Sequence, residues 1–189
     1  MTLTWLPWFS TWSVIKASGF TSLLLLFISI CFGAFCYGKL LSPRYKMPLM
    51  IIHQGSGWLG LLTGMLHGMV LTIDKYEPFS LTSILIPFTA KIHPFANGLG
   101  TIALYLIFIV IVTSDAMKVI GKNLWRKIHL LTYPALVLSV AHGIVAGSDS
   151  TESWAISFYI SLGIAFVLVC SIRIGYSWRS KLKMRYNRG

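Results

Sequence analysis

The run LMIIHQGSGWLGLLTGMLHGMVLTI, residues 49–73, decides the fold. It carries no Asp, Glu, Lys or Arg over 25 residues, enough for a helix to cross the hydrocarbon core of a bilayer. Two histidines, His53 and His67, sit inside it. An imidazole within the membrane is costly to bury and marks a functional site by default. Glycine is the other unusual component. Gly55, Gly57 and Gly60 make a formal GxGxxG, but the motif lies within an apolar helix with no strand before it, which removes the dinucleotide reading. Gly60, Gly64 and Gly68 recur every four residues and smooth one helix face, for a neighbouring helix or for a flat ligand.

Four further apolar runs, residues 13–37, 94–113, 126–147 and 154–176, are each long enough to cross once, giving an all-α integral membrane bundle of about five spans. The whole chain agrees: 56% of its 189 residues are hydrophobic, 11% are charged and the mean hydropathy is +0.74, which excludes a soluble enzyme. The stretch LTSILIPF, residues 81–88, is too short to cross and contains Pro87. It is expected to lie on the surface or re-enter, covering one mouth of the bundle. Residues 1–12, with Trp5, Trp8 and Trp12, read as an interfacial segment, residues 13–176 as the membrane domain and residues 177–189 as a basic cytoplasmic tail. The first run lacks the basic start and small-residue cleavage pattern of a signal peptide, so the chain is expected to stay in the membrane.

Charge sets the orientation. Thirteen of the sixteen Lys and Arg fall between spans one and two, between spans three and four, or from Arg173 onward, while Lys16, Lys75 and Lys91 lie on the other side with four of the five acids. That bias places the N-terminus outside the cell membrane and the C-terminus in the cytoplasm. The net charge of +11 then belongs to loops facing anionic membrane lipid, and nucleic acid is set aside. Cys31, Cys36 and Cys170 lie in apolar runs with no CxxC or CxxCH and read as small buried hydrophobes. No P-loop, paired carboxylates or Ser/His/Asp set is present, which leaves hydrolase and kinase chemistry without residues.

Four of the five histidines fall in spans two and four, which on this topology both run from inside to outside. His53 and His67 are 14 residues apart and His129 and His142 are 13 apart, or about 21 and 20 Å along a helix. His53 therefore comes level with His129 near the cytoplasmic face, and His67 with His142 near the outer face. Two facing neutral imidazoles are what a six-coordinate haem iron takes as axial ligands, so two levels imply two haems, bound between spans two and four. A closed zinc site needs four ligands together, and each level offers only two histidines with no cysteine or carboxylate. Histidines serving only as hydrogen-bond glue between helices have no need to fall in register. Phase adds a condition. At about 100° per residue, 14 residues return to within about 40° of the starting direction, whereas 13 fall about 140° short. His129 and His142 share a face only if the helix deviates between them, where Pro134 stands.

The spacing H-x13-H in one span and H-x12-H two spans later, with Arg126-Lys127-Ile128-His129 and Ala141-His142-Gly143 around the second pair, resembles the haem-bearing transmembrane domain of ferric reductases and NADPH oxidases. The haem subunits of bacterial methionine sulfoxide reductase systems are relatives. The resemblance extends over about residues 50–147. It implies that His53, His67, His129 and His142 ligate two b-type haems that pass single electrons outward, to ferric iron, oxygen or an extracytoplasmic redox protein. The family usually has six spans and an appended FAD and NADPH domain. Five spans and no such domain are read here, so any FAD or FMN is expected on a separate cytoplasmic flavoprotein. The chain then reads as the membrane haem component of an oxidoreductase. Its alternatives are a b-type anchor fed by a membrane quinol, and a non-redox transporter whose histidines carry protons or metal.

Haem propionates are anionic and take Arg or Lys near the membrane surface. Arg44, Lys46 and Arg126 are the candidates at the inner level and Lys75 or Lys91 at the outer, each also readable as an ordinary loop charge. His93, before Pro94, reads as an interfacial histidine, with an acceptor-site or propionate contact as the sharper alternative. Trp58, Tyr105, Trp125 and Tyr133 are aromatics placed to pack on haem or simply to fill space.

Overall fold

The computed structural model describes residues 10–36, 41–74 and 79–186; Trp5, Trp8 and Lys75 lie outside the described residues. These fold as helices α1 (Thr11–Cys36), α2 (Pro43–Leu71), α3 (Leu81–Leu85), α4 (Pro94–Asp115), α5 (Met117–Ile120), α6 (Lys122–His129), α7 (Thr132–Ala146) and α8 (Ser153–Tyr186). Among the described residues, four stretches are long and apolar enough to cross a membrane: α1, α4, the joined α6–α7 segment Lys122–Ala146, and Ser153–Tyr176 of α8. Together they form a multi-pass helical membrane bundle. The 29-residue α2 is as long but is diluted by His53, Gln54, Ser56, His67 and its glycines.

Close approach fixes how α2 lies on α1. The Ser22 hydroxyl donates to the Gly60 carbonyl at 2.7 Å and that of Ser29 to the His53 carbonyl at 2.7 Å. A Cβ at Gly60 would meet the Leu26 side chain at 2.8 Å and its backbone nitrogen at 3.2 Å. The first of the spaced glycines therefore serves helix packing. Gly64 faces Ser22, and Gly68 faces Ile84 of α3. The helix also begins earlier than the apolar run, at Pro43, with Pro48 inside it. Pro48 removes only the hydrogen bond to a carbonyl in the exposed first turn, where water can take its place.

The second antiparallel unit is α4 with α6–α7. Gly121, at φ 82°, lies in a region that side chains disfavour and turns the chain from α5 into α6. Between α6 and α7 the helix tightens: the Leu130, Leu131 and Tyr133 amides bond to carbonyls three residues back, at 3.3, 2.9 and 3.2 Å. Pro134 cannot donate to the Leu130 carbonyl, which takes the Tyr133 amide instead. This break supplies the deviation that the 13-residue histidine spacing requires.

The two units meet through an apolar core of Leu23, Phe27, Leu136 and Leu162, contributed by α1, α7 and α8. Short α3, capped by the Ser80 hydroxyl on the Ser83 amide at 3.1 Å, lies over one end of the bundle. Its Ile84 carbonyl accepts from Thr101 of α4 at 2.9 Å, and the Phe88 ring covers Gly98. Helix α8 continues past residue 176 to Tyr186, so much of the basic tail is helical.

Candidate functional site

The bundle brings the four membrane histidines together as two pairs. The His53 and His129 ring centres are 6.0 Å apart with planes at 74°, and those of His67 and His142 are 6.1 Å apart at 78°. His53 and His67 hang from one unbroken helix. Their partners are the last residue of α6 and a residue of α7, on either side of the break.

Each ring is oriented by a neighbouring helix. His67 Nδ1 lies 2.9 Å from the Ile15 carbonyl, His53 Nδ1 2.8 Å from that of Ser29, and His142 Nδ1 2.8 Å from that of Ala96. A carbonyl only accepts, so Nδ1 carries the proton in all three and Nε2 keeps its lone pair for a metal. Four residues beyond each of these carbonyls stands a glycine: Gly19, Gly33 and Gly100. A Cβ there would meet the imidazole at 3.2, 2.8 and 2.8 Å respectively. Each seat is thus a helix carbonyl with a notch one turn later, into which the ring fits. His129 differs. Its Nδ1 lies 3.3 Å from the Ser114 hydroxyl, and the Trp125 ring sits 5.1 Å away.

These seats were not singled out by motif reading, yet they leave a trace in the sequence. Gly19 and Gly33 are 14 residues apart on α1, matching His53 and His67 on antiparallel α2. Gly100 and Ser114 repeat the same interval on α4.

The donor set fits a bis-imidazole iron. Two metal–nitrogen bonds of about 2.0 Å, with about 1.1 Å from each nitrogen to its ring centre, place the centres about 6.2 Å apart. Both pairs match that separation. Among the described residues no three His, Cys, Asp or Glu side chains converge on a common point, so neither level has the donors of a closed zinc site.

Around His67 and His142 the helices enclose a cavity whose wall includes Gly19, Gly64, Gly68 and Gly100, with Ser83 and Ile84 of α3 at its edge. The short apolar segment thus covers this mouth. Among the described residues the lysine lining the cavity is Lys16, whose ammonium donates to both oxygens of Asp149 at 2.8 and 2.9 Å. That ammonium and the Ser148 hydroxyl hold the Asp149 carboxyl below the usual carboxylate range. Lys91 is exposed, outside the cavity wall. His93 and Asn97 line the mouth, His93 as the residue capping α4 in the left-handed region at φ 44°.

At the His53 level, Arg44 and Arg126 are exposed and Lys46 is half-buried. Arg173 of α8, in sequence only one of the basic residues that set topology, donates to the Ala34 carbonyl at 3.3 Å, next to the Gly33 seat. Of the four aromatics considered, Trp125 alone is in ring contact with one of the membrane histidines. Tyr133 packs on Phe166 at 6.3 Å, the Tyr105 hydroxyl donates to the Leu85 carbonyl, and Trp58 is exposed.

A family model described as "Ferric reductase like transmembrane component" matches residues 18–140. No curated protein and no solved structure matches the chain significantly.

Proposed function

We propose that this chain, which belongs to the ferric reductase-like transmembrane family, is the b-type haem component of a membrane oxidoreductase, carrying single electrons from a cytoplasmic donor to an extracytoplasmic acceptor. The observation that carries this reading is the pair of imidazole gaps, 6.0 and 6.1 Å, at two levels of one bundle. Two haems, when bound, supply the one-electron chemistry; His53 with His129 would hold the inner and His67 with His142 the outer. The chain's own work is to fix the tautomers through Ser29, Ile15 and Ala96, and to seat the imidazoles against Gly33, Gly19 and Gly100. Lys16, which lines the outer cavity, and Arg173, beside the inner seat, are the cations nearest the two levels, with Lys46, Arg44 and Arg126 farther along the inner side.

Five crossings, with the N-terminus outside and the C-terminus in the cytoplasm, agree with the 13 to 3 distribution of basic residues and with α2 lying along α1 from His67 beside Gly19 to His53 beside Gly33. A flavoprotein carrying FAD or FMN is the donor this topology favours. The acceptor is ferric iron, oxygen or a redox protein.

A pyridine haemochrome assay on the purified chain is expected to return close to two b-type haems; a haem-free protein after expression with ample haem overturns the reading. Reduction by NAD(P)H with a flavin reductase, and not by a quinol, separates this function from that of a quinol-oxidising anchor. Impermeant labelling of single cysteines placed at Thr4 and Asn187 is expected to mark only the first, and the reverse result exchanges inner and outer.

A further inference from the structure

Three of the four histidine seats share one construction and the fourth breaks it, although its spacing is the same. Val110 stands four residues before Ser114 as Ala96 stands before Gly100, so the fourth carbonyl is present. It is already taken: the Ser114 hydroxyl donates to the Val110 carbonyl at 2.6 Å. That uses the only proton the hydroxyl has. Its oxygen then accepts the Trp125 indole N–H at 3.1 Å and the His129 Nδ1–H at 3.3 Å. His129 therefore keeps the same tautomer as the other three, but through a longer bond to an acceptor shared with an indole.

We propose that Ser114 is a positioning residue that sets the redox potential of the His53–His129 site above the value a carbonyl seat would give. The proposal rests on the haem reading above. The strength of the bond at Nδ1 controls how much electron density an imidazole offers its metal through Nε2, and a more electron-rich ligand favours the oxidised iron. Carbonyls at 2.8–2.9 Å make the other three rings strong donors, with the Ser29 hydroxyl oxygen a second acceptor for His53 at 3.0 Å. The shared hydroxyl makes His129 the weakest of the four, which raises the potential of its site.

Variants separate this from simple damage, because they are expected to move in opposite directions. Ser114→Gly removes the hydroxyl and leaves the Val110 carbonyl only the longer Thr113 contact at 3.2 Å, that hydroxyl bonding mainly to Ile109 at 2.6 Å, so the fourth seat converts to the common form and the midpoint of one haem falls. Ser114→Ala keeps a Cβ over that carbonyl and offers no acceptor, so the same midpoint rises. Trp125→Phe releases the competing N–H and gives a smaller fall, while Ser114→Thr retains the hydroxyl and stays near the parent. The other haem's midpoint is the internal control and is expected to hold still. The measurement is spectroelectrochemical titration after haem quantification. A haem-free parent overturns the functional reading and this proposal with it. Two haems whose midpoints ignore Ser114→Gly and Ser114→Ala, or shift the same way in both, overturn the role of Ser114 alone. So does loss of a haem in Ser114→Gly, since that variant is expected to seat His129 more firmly.

Discussion

At the His67 level both imidazoles rest on helix carbonyls beside glycines; at the His53 level one does, while the other leans on a hydroxyl and an indole at the end of a short helix. Both levels lie between the same two antiparallel units, α1 with α2 and α4 with α6–α7, and their ring gaps agree within 0.1 Å. Matching distances thus arise from unlike supports. The gap is fixed by how the helices pack, whereas the acceptor each Nδ1–H meets is fixed by the residue behind it.

The harshest way to break the comparison is to delete a ligand. His67→Ala or His142→Ala should remove one haem and spare the other, and His53→Ala or His129→Ala should do the reverse, so that each halves the haemochrome yield. Because the levels are about 21 Å apart along α2, no histidine of one can serve the other. Electron delivery to an external acceptor should fail in all four, and His93→Ala should retain both haems. If His53→Ala and His142→Ala lost the same haem, the pairing would be wrong.

A gentler break fills a seat. Gly33→Ala and Gly100→Ala each drive a methyl to 2.8 Å from an imidazole, against 3.2 Å for Gly19→Ala. Overpacking of this kind costs about 1–3 kcal/mol. The first two should therefore weaken retention of one haem each, at the His53 and His67 levels respectively, by more than Gly19→Ala does. Haem release followed in dilute detergent gives the order directly, and equal losses at all three positions would remove the notch from the argument.

Pro134→Ala addresses the break. It restores an amide able to bond the Leu130 carbonyl, straightens the junction and turns His129 away from His53 while His142 keeps its place. Partial loss of the His53-level haem, with the other intact, is the expected result by redox titration.

The smallest effect belongs to the Lys16–Asp149 pair, which is partly exposed and worth about 0.2–1 kcal/mol. The Asp149 carboxyl is held low in the folded protein, so its contribution is complete above the ordinary carboxylate range and disappears as pH falls through the depressed value. Thermal unfolding of the parent and of Asp149→Asn should differ slightly at neutral pH and converge on acidification.

Much of this was legible in the residues because membrane helices announce themselves by apolar length, and histidine is too costly there to be incidental. The apolar runs recovered α1, α4, α7 and the spanning part of α8, and the interval between His53 and His67 led to their partners. What escaped was set by the backbone. The three-residue bonds around Leu130 cannot be read from Pro134 alone, and a carbonyl acceptor has no side chain to betray it. Lys16 reads in the sequence as a topology charge, since nothing there says that Asp149, 133 residues later, meets it beside the cavity.

The helix carrying His53 and His67 also bears on how the chain enters the bilayer. Surrounded by lipid, α2 would present imidazoles, a glutamine and bare glycine backbone to hydrocarbon. Beside α1 both imidazoles and a glycine carbonyl are answered: Ile15 takes the proton of His67, Ser29 that of His53, and Ser22 donates to Gly60. The α1–α2 hairpin is then expected to partition as one unit, with α1 acting as the solvent for α2 that the lipid does not provide.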